Sequence, residues 1–150
     1  MAEPITDQNT ISKAWKLIYD VLNDNLTDPE SRNKKWIFGA FPADRIDKIG
    51  YPVIVISYIN TSGFSLRAIG NTSQFIALRA TINVFSTKGQ QLQDLVDDVD
   101  YILTNSKHST LTKNKCKNIR QTSFSARAIM IGRRPVHVGT ITYEFEYKRG

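Results

Sequence analysis

The stretch Gln91–Leu103, QLQDLVDDVDYIL, sets four aspartates, Asp94, Asp97, Asp98 and Asp100, within seven residues. Carboxylates at this density can hold a hard cation, act as an acid/base pair, or form the wet side of a helix. Helical geometry decides among these. At about 100° per residue, Leu92, Leu95, Val96, Val99, Ile102 and Leu103 share one stripe, and the aspartates fall on the opposite arc. A hard-cation site needs more oxygen ligands than one helix face supplies, usually from a glycine-containing loop. No such loop is present here, and no histidine stands nearby to suit zinc. The reading is an amphipathic helix whose acidic face meets water or a partner. Asp94 and Asp98, four residues apart, repel one another on that face.

No other constellation assembles a reaction. The glycines form no GxxxxGK[ST] or GxGxxG loop, and there is no GxSxG elbow. His108 falls in a basic loop and His137 in the final strand, so the serines lack an activating base. Asp44 and Asp47 flank Arg45 in a turn-like segment, where local hydrogen bonding accounts for them. The one cysteine, Cys116, rules out an internal disulfide and a cysteine-based zinc cage. Placed between Lys115 and Lys117, it is either a thiolate-prone side chain or an incidental loop residue. The sequence thus leads us to expect no enzyme, no cofactor and no bound metal.

These side chains need a scaffold, and 150 residues is the size of a single domain, 1–150, with one core. With 41% hydrophobic and 23% charged residues the chain reads as an ordinary globular protein. No apolar run approaches the roughly 20 residues of a membrane span. The opening MAEPITDQNT carries acids and no basic region, so a secretory signal is not expected. A reducing, cytoplasm-like compartment fits the lone thiol.

The net charge of +6 is unevenly spread. From Tyr101 to Tyr143 there is no acid, while Lys107, Lys113, Lys115, Lys117, Arg120, Arg127, Arg133 and Arg134 are all basic. Such a block can meet nucleic acid or an acidic protein surface. Against sequence-specific nucleic-acid binding, the basic loop carries no aromatic for base stacking, and no KGFGFV-like pattern exists.

Periodicity orders the elements. A helix is expected over about Thr10–Leu26, with Ile11, Trp15, Ile18 and Leu22 on its apolar side and Thr10 as N-cap. Pro52–Ile59 reads as a buried strand, and Asn60–Gln74 as an arm or irregular hairpin. FIALRATINVF alternates, with Ile76, Leu78, Ala80, Ile82 and Val84 facing one way. After the acidic helix comes the basic loop, about 106–118, and then a strand to Ile131 with Phe124, Ala126, Ala128 and Met130 on one face. GRRP breaks it. In the last strand Ile141, Tyr143, Phe145 and Tyr147 face inward, and Thr140, Thr142, Glu144 and Glu146 form a polar outer side. The expected fold is α+β, a two-layer sandwich: one mostly antiparallel sheet of four to five strands with two helices packed on one face.

This layout resembles the tail terminator proteins of long-tailed bacteriophages and related viruses. The resemblance rests on three stretches: FPADRIDKIGYPVIVISYINTSG, FIALRATINVFSTKGQQLQDLVDDVDYIL and GTITYEFEYK. It implies a virion neck protein, assembled in the host cytoplasm. Six copies would form a ring on the last disc of the tail tube, end its growth, and offer a docking surface to the head connector. DNA would pass through the lumen without specific binding, and no membrane would be involved. The residues suggest how such a ring could close. Its subunit interface would pair Asp94, Asp97, Asp98 and Asp100 of one copy with Arg120, Arg127, Arg133 and Arg134 of the next, since a ring joins two unlike patches. Phe64, Leu66 and Ile69 of the arm are the expected tail-tube contact. The competing readings are a small basic nucleic-acid-binding module or another neck or head-completion protein.

Overall fold

A computed structural model of the chain describes residues 10–61, 67–68, 74–104 and 116–149. Two long strands form its spine. β5 (Gln74–Ser86) pairs antiparallel with β7 (Arg134–Arg149), from Gln74 opposite Arg149 to Ser86 opposite His137. β2 (Val53–Ile56) lies antiparallel on the other side of β5, and the two-residue β1 (Ile37–Phe38) runs parallel to β2. β6 (Cys116–Ile131) pairs with β7 and closes the order β1-β2-β5-β7-β6. The architecture is the α+β two-layer sandwich, with a five-stranded mixed sheet.

Strand alternation builds the core. Ile54, Ile56, Leu78, Ala80, Ile82, Val84, Ile141, Tyr143, Phe145 and Tyr147 lie buried on the inner face. Helix α1 (Thr10–Asn25) brings Ala14, Ile18, Val21 and Leu22 to it. Helix α3 (Gly89–Thr104) brings its whole apolar stripe, Leu92, Leu95, Val96, Val99, Ile102 and Leu103. Removing this surface from water is the main favourable contribution to folding. Ile11 departs from its expected place on the α1 stripe and is 47% exposed. It lies a full turn before Trp15, whose indole N–H already reaches the carbonyl of Ile56, the last residue of β2 (3.0 Å).

The outer face is not polar throughout. Between β1 and β2 the chain crosses it through a short helix, α2 (Ile46–Ile49), where a turn-like segment was expected. Phe38, Ile46 and Val53 form a second small core there, packed by Phe41, Ile49, Tyr51 and Phe85. Val136 and Val138, on the side of β7 expected to be polar, are buried as well. Arg32 fastens this segment. Its guanidinium donates to the carbonyls of Ile49 (3.2 Å), Gly50 (2.9 Å) and Pro52 (2.6 Å) while paired with Asp28 (2.9 Å).

The expected arm is partly sheet. β3 (Asn60–Thr61) and β4 (Arg67–Ala68) both pair antiparallel with β5, because the long β5 extends beyond β2 and offers free backbone groups there. Phe64, Leu66 and Ile69 lie outside the described residues, as do His108 and the lysines at 107, 113 and 115. The basic loop is shorter than expected at its far end, since β6 already starts at Cys116. GRRP breaks the strand, as expected, and β7 returns beside β6. The break is a hairpin turn, with Ile131 opposite Arg134 and Gly132 at φ +63°, a left-handed conformation that glycine adopts without strain.

Candidate interaction surfaces

α3 is aimed by the turn that precedes it. The buried Ser86 hydroxyl accepts from the Lys88 N–H (3.1 Å) and donates to Gln91 Oε1 (2.7 Å). Gln91 Nε2 in turn donates to Glu30 Oε1 (3.1 Å). With the helix held this way, Asp94, Asp97 and Asp98 stand exposed on its outer arc. Partial burial, followed by the charges of Asp94 and Asp97, raises the pKa of Asp98. None of the three carboxylates forms an ion pair among the described residues; Asp94 only accepts from Gln90 Nε2 (3.1 Å).

Asp100 belongs elsewhere. It is half-buried, and its Oδ1 accepts a hydrogen bond from the buried Tyr143 hydroxyl (3.0 Å). At 100° per residue it turns past the outer arc toward β7. Its place in the outward arc goes to Tyr101, which is 69% exposed and lies three and four residues from Asp98 and Asp97. An aromatic on the polar arc of a helix is a signal visible in the sequence.

The arginines divide in a similar way. Arg120 (3.3 Å) and Arg79 (2.8 Å) both bind Glu144 on the outer face of the sheet. The hydrogen bond from Arg79, then its charge and that of Arg120, hold the Glu144 carboxyl below its ordinary pKa. The guanidinium of Arg134 lies 5.9 Å from the centre of the Tyr51 ring, a cation–π distance. Arg127, opposite the outer-facing Val138, and Arg133 in the hairpin turn are exposed, with no partner among the described residues. The acidic arc therefore lies on the helix layer, and the bare arginines on the outer face and hairpin end. No acid–base pair of the expected set meets within one chain.

β6 has a feature of its own. Phe124 (46% exposed) and Met130 (64%) stand in open solvent on its helix side, with exposed Ala126 and Ala128 between them. α3 packs over β7, where a Cβ on Gly139 would come within 3.2 Å of Val96 Cγ2 and 3.4 Å of Phe124 Cε1. This part of β6 is therefore a ledge beside the helix, and its outer edge has no strand partner among the described residues. Cover returns only toward the start of β6 on this side, where Cys116 is buried and Ile119 half-buried.

No protein-family model matches the chain, and no curated protein does either. Among the described residues, no group of three His, Cys, Asp or Glu side chains is placed to hold a metal. No described helix is long and apolar enough to cross a membrane. Cys116 is not a loop residue, and its surroundings disfavour a thiolate. It opens β6 inside the core at 3% exposure, and burial pushes its pKa up to about 12.

Proposed function

We propose that this chain is a structural protein that assembles into a ring, and that the ring caps a viral tail tube, ends its growth and offers a docking surface to the head connector. The observation that carries the ring is the pair of unlike, unpartnered patches on different faces: Asp94, Asp97 and Asp98 on α3, and Arg127 and Arg133 on the β6–β7 hairpin. Patches that complement each other but lie on different faces favour head-to-tail contacts, which close into a ring when the rotation from copy to copy completes a full turn. The tail-tube role rests on the resemblance of layout described above, with which the two-layer sandwich is compatible. The proposed interface is narrower than the sequence suggests, because Asp100 and Arg120 already have partners within the chain.

The test is to add the purified chain to polymerising tail tubes and measure their lengths by electron microscopy. Tubes that stop short, each with density at one end, support the reading. Unchanged length with bare ends contradicts it. The exposed Arg127 and Arg133 also keep a second reading open, a polyanion-binding module, which predicts monomers that hold duplex DNA in a strongly salt-dependent way.

A further inference from the structure

We propose that the open part of the outer sheet face, a floor of Thr81, Asn83, Thr140, Thr142, Ser123 and Ser125, is the seat on which the acidic arc of α3 from a second copy lies. The inference rests on the ring reading and adds to it where the arc lands and which groups receive it.

The argument starts from strand register. Thr81, Asn83, Thr140 and Thr142 alternate with the buried residues of β5 and β7, so they point away from the helices. Pairing carries that face onto β6, where Ser123 lies opposite Thr142, Ser125 opposite Thr140 and Arg127 opposite Val138. The four residues of β5 and β7 are half-buried, and the two serines are exposed. Their short side chains make the floor flat. It is also partly fixed from within, since Thr140 Oγ1 donates to Asn83 Oδ1 (2.7 Å) and Asn83 Nδ2 to the Ser57 hydroxyl (3.1 Å).

Dimensions fit a helix. At one end the floor stops at the row of Arg79, Glu144 and Arg120, and at the other where Val138 is buried beside Phe85. From Glu144 to Val138 the strand rises roughly 20 Å, and three adjacent strands span roughly 10 Å. An α-helix is about 10 Å across, and the arc from Gln90 to Tyr101 is roughly 16 Å long. The inner face of the same sheet already carries helices in this way.

Charge selects the occupant. Arg79, Arg120 and Arg127 border the floor on this one face, with Glu144 the carboxylate between the first two. Two guanidiniums on one carboxylate leave a positive charge over, and Arg127 supplies a second. On α3, Asp94, Asp97 and Asp98 are exposed and form no ion pair among the described residues. A carboxylate above the floor also meets the Ser123 and Ser125 hydroxyls as donors. The arc and the floor lie on opposite layers of the sandwich, so the contact is head-to-tail and a two-fold dimer does not satisfy it.

A photo-crosslinking residue in place of Ser125 tests the contact directly. Isotopically labelled and unlabelled full-length chains are mixed, irradiated and digested, so that links between copies are told apart from links within one. Links from position 125 to the peptide 89–104 of another copy are expected. Links that fall elsewhere, links to an added DNA duplex instead, or none at all overturn the proposal. In parallel, Ser125→Trp should weaken self-association about tenfold or more by blocking the floor. Ala128→Trp, at an exposed position on the reverse face of β6, should leave it unchanged. Rings that form equally well with Ser125→Trp overturn this inference and leave the ring reading standing. A wild-type chain that stays monomeric at its highest soluble concentration overturns both.

Discussion

The Tyr143 hydroxyl donates to Asp100 Oδ1 across 3.0 Å and ties the middle of α3 to β7. One bond thus both fixes the helix on the sheet and draws one of the four aspartates out of the acidic arc. Removing it by Tyr143→Phe should cost on the order of 1.5–3 kcal/mol, the range for hydrogen bonds to charged groups. Urea denaturation at neutral pH measures this. Burial, followed by the charge and hydrogen bond of Asp100, raises the pKa of Tyr143. A free tyrosine ionises near pH 10, so the unfolded chain loses this proton while the folded chain keeps it. Stability should therefore be full below about pH 10 and fall as pH rises beyond it. Tyr143→Phe should make that fall less steep.

Cys116 makes the same argument at lower pH. Its thiol is raised from 9.0 to about 12 by burial, so folding stability should be intact below pH 9 and decline between pH 9 and 12. The slope attributable to it is about 1.4 kcal/mol per pH unit. At pH 8 a thiol reagent should leave the native protein unmodified and label it stoichiometrically in denaturant. Fast labelling of the folded protein would contradict the burial of this strand end.

Arg32 offers a third test. Its three carbonyl contacts, together with Asp28, hold the segment that covers the outer face of the sheet. Arg32→Met keeps the aliphatic stem but leaves these acceptors unpaired, and should cost roughly 3 kcal/mol or more. Burial alone would raise the pKa of Asp28, but hydrogen bonds from Arg32 and from the Glu30 and Arg32 backbones outweigh it, so the net shift is downward. This contribution should thus be present above the ordinary carboxylate range and be lost as pH falls through it. In Arg32→Met that part of the acid destabilisation should shrink.

Periodicity made the inner face legible, because alternation along a strand and a 3.6-residue repeat along a helix follow directly from backbone geometry. The apolar sets of α3, β5 and β7 all lie where the spacing puts them. What the sequence hid depends on tertiary coverage. Phe124, Ala126, Ala128 and Met130 share one strand face as the alternation puts them, yet all four are exposed. Val136 and Val138 occupy the polar side of an alternating strand, yet are buried on the face that the α2 segment crosses. At the candidate interface, helical phase placed Asp94, Asp97 and Asp98 correctly on the outside. Asp100 lies near the border of that arc, where the Tyr143 hydroxyl, 43 residues away in sequence, decides its position.

Charge exchange probes the proposed pairing between copies. Asp97→Lys with Asp98→Lys should block ring formation, since lysines would then face Arg127 and Arg133. Adding Arg133→Glu and Arg134→Glu should restore it at least in part, because opposite charges would again meet. Sedimentation velocity reports the outcome. Because Arg134 also covers Tyr51, the arginine variant needs its own stability control. A stable quadruple variant that stays dissociated would argue against the pairing.

The most direct measurement is a native mass spectrum of the purified chain at near-physiological salt, with and without a short DNA duplex. The proposal predicts a closed ring, six copies on the layout resemblance, with little DNA retained. Monomers that carry the duplex would contradict it and favour the polyanion-binding reading.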